Sequence, residues 1–213
     1  MDQNTLTPDI MLQAYAMGIF PMAEHADDHD LFWLDPERRG IIPLNQFHIS
    51  RSLAKRLRRE PLRAVLNRDF EASLIACADR DETWINPSLH DLYMQLHTIG
   101  AAHAIEVWDD DTCLGGAFGL SIRGAFFGES MYSASKDGSK LALAFLVAHL
   151  VNCGFKLLDT QFVTDHLLTM GAAEISRDVY HAKLNAALQT DADIQRYDMP
   201  SRQDVLQRRT QIS

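Results

Sequence analysis

Apolar positions recur at two spacings along the chain, and the change from one to the other marks its elements. From Thr7 to Gly18, a hydroxyl, a proline in the first turn and a closing glycine frame a short helix containing Ile10, Tyr15 and Met17. In SRSLAKRLRR, starting at Ser50, Leu53 and Leu57 lie four residues apart on one side and the cations on the other, the pattern of a helix that docks by one face. LRAVLN predicts a strand and DFEASLIACA a helix; Asn86 and Pro87 cap and open a further helix that ends at Gly100. AHAIEVW, CLGGAFGLS and RGAFFGESMY read as successive antiparallel strands. SKLALAFLVAHLVN is apolar nearly all round, so it predicts a helix buried against that sheet, with Gly154 just past its end. KLLDTQF then returns as a strand parallel to its predecessor. Ser176 caps a last amphipathic helix, and beyond Thr190 the polar sequence predicts a loosely held tail.

Polar residues inside the apolar strands carry the candidate chemistry. The two-residue period sets Asp159 and Gln161 on one face, about 7 Å apart. A buried acid is costly unless it is hydrogen-bonded or has a task. With Leu157, Leu158 and Phe162 around them, the two suggest a polar spot at the end of an apolar pocket, which Glu129 on the neighbouring strand could complete. Spacing alone leaves a second reading open, in which Asp159 and Gln161 merely cap the next helix and cross-link the sheet.

Composition narrows the class. With 213 residues, 46% of them hydrophobic and 23% charged, the chain suits one large domain or a main domain with a small appendage. No apolar run approaches the roughly 18–20 residues of a membrane span, and MDQNTLTPDI lacks the regions of a signal peptide, so a cytoplasmic protein is expected. Cys77, Cys113 and Cys153 have no paired spacing and read as small core residues. His25 and His29, in the polar run Glu24 to Asp30, could bind a metal, although such a segment is ordinarily a solvated loop and no metal is expected. The net charge of −9 counts against nucleic acid, but its distribution does not. Arg51, Lys55, Arg56, Arg58, Arg59 and Arg63 gather against the single acid Glu60, either as a solvated helix face or as an anion-binding one. The acidic remainder would suit a cationic substrate.

The strings AYAMGIFPM, HISRSLAKRLRR, TWI, IEVW, LGGAFG, FFGESMYS and LLDTQFVTDHLLTMGAAEI, in this order over residues 11–188, resemble the bacterial leucyl/phenylalanyl-tRNA-protein transferase family. The resemblance implies an α+β fold: a mixed, largely antiparallel sheet flanked by helices, similar to acyl-CoA N-acetyltransferases, with a small N-terminal domain. The expected division is 1–40 for that domain, 41–190 for the catalytic domain and 191–213 for the polar tail. The implied activity transfers leucine or phenylalanine from Leu-tRNA or Phe-tRNA to acceptor proteins beginning with Lys or Arg, with no cofactor and as a monomer. By position, Asp159 and Gln161 match the family's catalytic pair, with Asp159 holding the attacking amine and relaying its proton or only orienting it. Glu129 matches an acid near the aminoacyl-adenosine; Tyr15, Trp84 and Phe126 match pocket aromatics, and Leu143, Leu146 and Leu158 apolar pocket positions. Arg51, Lys55, Arg56, Arg58 and Arg59 match the surface implied to meet the tRNA body.

Two positions depart from the pattern. Met22 stands where better-known members carry Trp, and Ala117 where some carry Met, so a roomier pocket with better use of bulky side chains is expected. Two rival classes remain. An acyl-CoA N-acetyltransferase would need a glycine-rich phosphate loop, whereas SASKDGSK offers only Gly138. A non-catalytic RNA-binding module would explain the basic helix but would leave Asp159, Gln161 and Glu129 without a purpose.

Overall fold

A computed structural model describes residues 6–22, 32–80 and 83–211, the side chains of 209–211 excepted. His25 and His29 lie outside the described residues. The chain runs α1 (Pro8–Ala16), β1 (Phe20–Met22), β2 (Phe32–Leu34), β3 (Arg38–Ile41), α2 (Arg51–Arg59), β4 (Leu62–Leu66), α3 (Phe70–Ala78) and α4 (Pro87–Thr98). It continues through β5 (Ala102–Asp109), β6 (Thr112–Ile122), β7 (Ala125–Ser133), α5 (Gly138–Asn152), β8 (Leu157–Gln161), α6 (Asp165–Leu168), β9 (Ala173–Ser176), α7 (Arg177–Leu188) and α8 (Arg202–Gln211). Thr7, Ser50 and Asn86 each accept a hydrogen bond from the backbone N–H three residues on, which satisfies an otherwise orphaned donor at the starts of α1, α2 and α4.

Seven strands form one mixed sheet in the order β4-β5-β6-β7-β8-β3-β9, and β1 and β2 pair as a separate hairpin. Only β7 and β8 are parallel neighbours, joined across α5; every other pairing is antiparallel. The fold is therefore α+β. Two apolar clusters cover the faces of the sheet. Residues of α5, α2 and α8 fill one, and residues of α1, α3, α4 and α7 fill the other. Helix α5 buries twelve residues from Gly138 to Leu150, as its all-round apolar sequence requires.

Three features differ from the pattern-based reading. Strand β3 spans the expected boundary at residue 40 and inserts between β8 and β9. AEIS, between α6 and α7, is the edge strand β9, too short to announce itself by alternation. Beyond Thr190 the chain is not loosely held: Ile194 and Val205 are each 1% exposed, and α8 lies against α2 and α5. Two apolar anchors in a polar sequence are enough to dock it. Among the described residues, no helix is long and apolar enough to cross a membrane.

Candidate active site

The parallel pairing of β7 with β8 stops at Phe127 and Asp159, and the two strands then part. Both departures are built into the backbone. On β7 the register against β6 slips between Phe118 and Gly119, so that Glu129 is the extra, unpaired residue of a bulge. Glycine is required opposite it, since a Cβ at Gly119 would collide with the carbonyl oxygen of Phe127. On β8, Gln161 takes a left-handed φ of 56°, which ends the strand. The Asp159 carboxylate stabilises that turn by accepting the Gln161 backbone N–H at 2.8 Å.

A cavity of about 250 Å³ opens in the split. Leu143, Leu146, Leu158 and Leu167 form its apolar wall, with Phe118 and Met131 beside them. Ala117 lies opposite Met131 in the β6–β7 register, and both line the space. Met22, Trp84 and Arg80 line the same space, and the side chains of Glu129, Gln161, Thr160 and Thr164 supply its polar groups. Gln161 Nε2 donates to Glu129 Oε1 at 3.1 Å, bridging the parted strands. Tyr93, on α4, donates its hydroxyl to Glu129 Oε2 at 2.8 Å. Burial pushes the Glu129 carboxyl up to about 7; the nearby tyrosine hydroxyls oppose this, and the Asp159 charge adds to it. Burial first, then Glu129, raises the phenols of Tyr15 and Tyr93.

The structure thus gathers Met22, Trp84, Ala117, Glu129, Leu143, Leu146, Leu158 and Gln161 around one space. Three expected site residues sit behind it. Phe126 is fully buried in the core on the α5 side. Tyr15 is fully buried with its ring edge-on to Phe127, and its hydroxyl faces Glu129 without a hydrogen-bond partner. Asp159 is 0% exposed and meets Arg39, itself 1% exposed, through Nε at 3.0 Å and Nη2 at 2.6 Å. The Tyr180 hydroxyl donates to the same carboxylate at 2.6 Å. Arg39 is clamped further by the rings of Phe20 and Tyr180, each 4.4 Å from its guanidinium carbon, and by the Gly18 carbonyl. Arg39, Tyr93 and Tyr180 were not singled out by sequence; an arginine inside the run RRGII is the one local hint of a buried ion pair.

Comparison with known proteins covers most of the chain. The family model described as leucyl/phenylalanyl-tRNA protein transferase matches residues 41–185, and the model for that family's N-terminal domain matches residues 4–37. The leucyl/phenylalanyl-tRNA–protein transferase of Ruegeria sp. (strain TM1040) is 54% identical over 98% of this chain and 100% of its own. That of Cereibacter sphaeroides (strain KD131) is 54% identical over 90% of each chain. This chain belongs to the leucyl/phenylalanyl-tRNA protein transferase family. In this family member the basic helix α2 is only partly free. Arg51, Lys55, Arg58 and Arg59 are exposed on α2, whereas Arg56 is occupied: its guanidinium holds Glu60 at 2.7–2.9 Å and reaches the Lys136 carbonyl. Among the described residues, no group of three His, Cys, Asp or Glu side chains is placed to hold a metal ion.

Proposed function

We propose that the cavity receives the leucyl or phenylalanyl group of an aminoacyl-tRNA and that this chain transfers it to the α-amino group of a protein beginning with Lys or Arg. The observation carrying the reading is the pairing of an apolar hole with a bulged carboxylate at its polar end. A hole of about 150 Å³ accommodates benzene. One of 250 Å³ therefore holds an isobutyl or benzyl group with the ester beyond it. β-Branched side chains carry their bulk at Cβ, next to the ester and so beside the hydrogen-bonded pair Glu129 and Gln161.

The donor is an activated ester, so aminolysis needs alignment and proton management rather than an energy source. The acceptor amine attacks the ester carbonyl, the tetrahedral carbon sheds the ribose oxygen, and a peptide bond forms. Glu129 takes the proton from the attacking nitrogen and returns it to the departing oxygen. A carboxylate raised to about 7 is matched to that exchange near neutral pH. The Gln161 amide nitrogen is spent on Glu129, leaving its carbonyl oxygen to receive an N–H of the incoming amine. Asp159 is a positioning residue: it fixes the backbone of Gln161 and anchors Arg39. The exposed cations of α2 meet the tRNA body.

Glu129→Gln tests this. Loss of the base lowers kcat/KM by about 10²–10⁴-fold. The pH profile is the sharper readout, because the base must be ionised and the rate rises as pH climbs through about 7. The acceptor amine, with an ordinary value of about 7.7–8.0, contributes its own rise in both proteins. Below pH 7 the logarithm of kcat/KM should therefore climb one unit less steeply in the variant. An unchanged slope removes Glu129 from proton transfer.

A further inference from the structure

Arg80 is a cation at the mouth of the cavity, and nothing in the reaction above uses it. Its side chain is exposed and lines the opening. Nη2 is pinned to strand β7, donating to Ser130 Oγ at 2.8 Å and to the Met131 carbonyl oxygen. Ser130 directly follows the bulged Glu129, so the guanidinium is held in fixed relation to the reacting carboxylate. Among the described residues, no carboxylate lies within ion-pair distance of Arg80, and Nε and Nη1 have no protein partner.

Two substrates must reach this mouth, and their charges differ in sign. The acceptor brings a terminal amine and, in the reading above, a cationic side chain, both of which a guanidinium repels. The donor brings phosphates. Its aminoacyl group enters the cavity first, its ester carbonyl stops beside Glu129 and Gln161, and the terminal ribose remains at the mouth. The phosphate on the 5′ side of that ribose is then one sugar away from the ester. A guanidinium with free N–H donors matches phosphate oxygens in geometry as well as in charge.

We propose that Arg80 binds the phosphate on the 5′ side of the donor's terminal nucleotide and so marks the donor side of the cavity mouth. This rests on the aminoacyl-transfer reading. The plain alternative is that Arg80 only braces the end of α3 against β7.

The test compares two minimal donors, phenylalanyl-adenosine, which lacks that phosphate, and phenylalanyl-cytidylyl-adenosine, which has it, with a peptide beginning with Arg as acceptor. In the wild type the dinucleotide donor is favoured in kcat/KM by about tenfold or more, the size of a charged hydrogen-bonded contact. In Arg80→Ala that preference falls to near one through KM, while transfer from phenylalanyl-adenosine stays within about twofold; Arg80→Lys regains part of it. Equal losses with both donors, or an undiminished preference, overturn the proposal. A second measurement needs no turnover: adenosine 5′-monophosphate should inhibit or bind more tightly than adenosine in the wild type, and equally in Arg80→Ala. Should the wild type transfer from neither donor, the functional reading fails, and this nucleotide comparison still decides the phosphate contact.

Discussion

At Asp159 the hydrogen-bonding capacity is already spent inside the protein. One oxygen takes Arg39 Nε and the Gln161 backbone N–H, and the other takes Arg39 Nη2 and the Tyr180 hydroxyl. A substrate amine could reach it only by displacing a partner that is itself buried. The energetic consequence is specific. Removing one member of a buried ion pair strands the other charge, at a cost of about 3–5 kcal/mol. In Asp159→Ala the stranded group is Arg39, held between Phe20 and Tyr180 at 1% exposure. For a chain of this size each kcal/mol shifts Tm by about 2–4 °C, so thermal unfolding should move down by on the order of 10 °C. Activity would fall with it, through loss of the Gln161 turn. A variant that keeps the wild-type Tm and still loses transfer would return Asp159 to the chemistry itself.

At the scale of elements, the proposed selectivity rests on two facing strands. Ala117 on β6 and Met131 on β7 occupy one register pair and share the cavity wall, so the small residue on one strand is partly filled by the flexible residue on the other. In Ala117→Met two thioether chains compete for one level of the cavity, which shortens it. Phenylalanyl transfer should then fall relative to leucyl transfer by roughly tenfold or more, within the 10–200-fold range that small differences in apolar fit command. Initial rates with Phe-tRNA and Leu-tRNA measure the ratio, and an unchanged ratio overturns the assignment. The pattern made much of this layer legible. Helix α5 followed from an apolar run with no polar stripe, the antiparallel strands from their turns, and the caps at Thr7, Ser50 and Asn86 from hydroxyl and amide side chains ahead of helical periods. What stayed hidden depends on distance along the chain. Arg39 meets Asp159 across 120 residues, and the bulge at Glu129 exists only relative to β6. Locally, an arginine inside RRGII hints at a buried partner but does not name it, and nothing near Glu129 records the bulge. For the same reason Tyr15 and Phe126, aromatic residues near the right motifs, lie behind the cavity rather than in it.

For the whole molecule the problem is how a chain of net charge −9 approaches a polyanion. Clustering solves it only if the clustered cations are free, and α2 is not uniform. Arg51, Lys55, Arg58 and Arg59 point to solvent, while Arg56 closes the end of the helix on Glu60 and ties it to the loop before α5 through Lys136. Helix α8 adds a second tie, since Arg202 donates to the Glu60 carbonyl. The C-terminal segment thereby links the basic helix to α5, against which α8 also packs. Salt dependence separates these roles, because each phosphate neutralised contributes close to one unit to the slope of log K against log salt. Arg58→Ala with Arg59→Ala should weaken tRNA binding and flatten that slope by about two units, with the Tm nearly unchanged. Arg56→Ala should leave the slope close to wild type and lower the Tm instead, because the half-buried ion pair and the tie to the Lys136 carbonyl are lost together. If Arg56→Ala flattens the slope as much per residue as the other two, Arg56 leaves Glu60 when tRNA arrives and all five cations act as one surface.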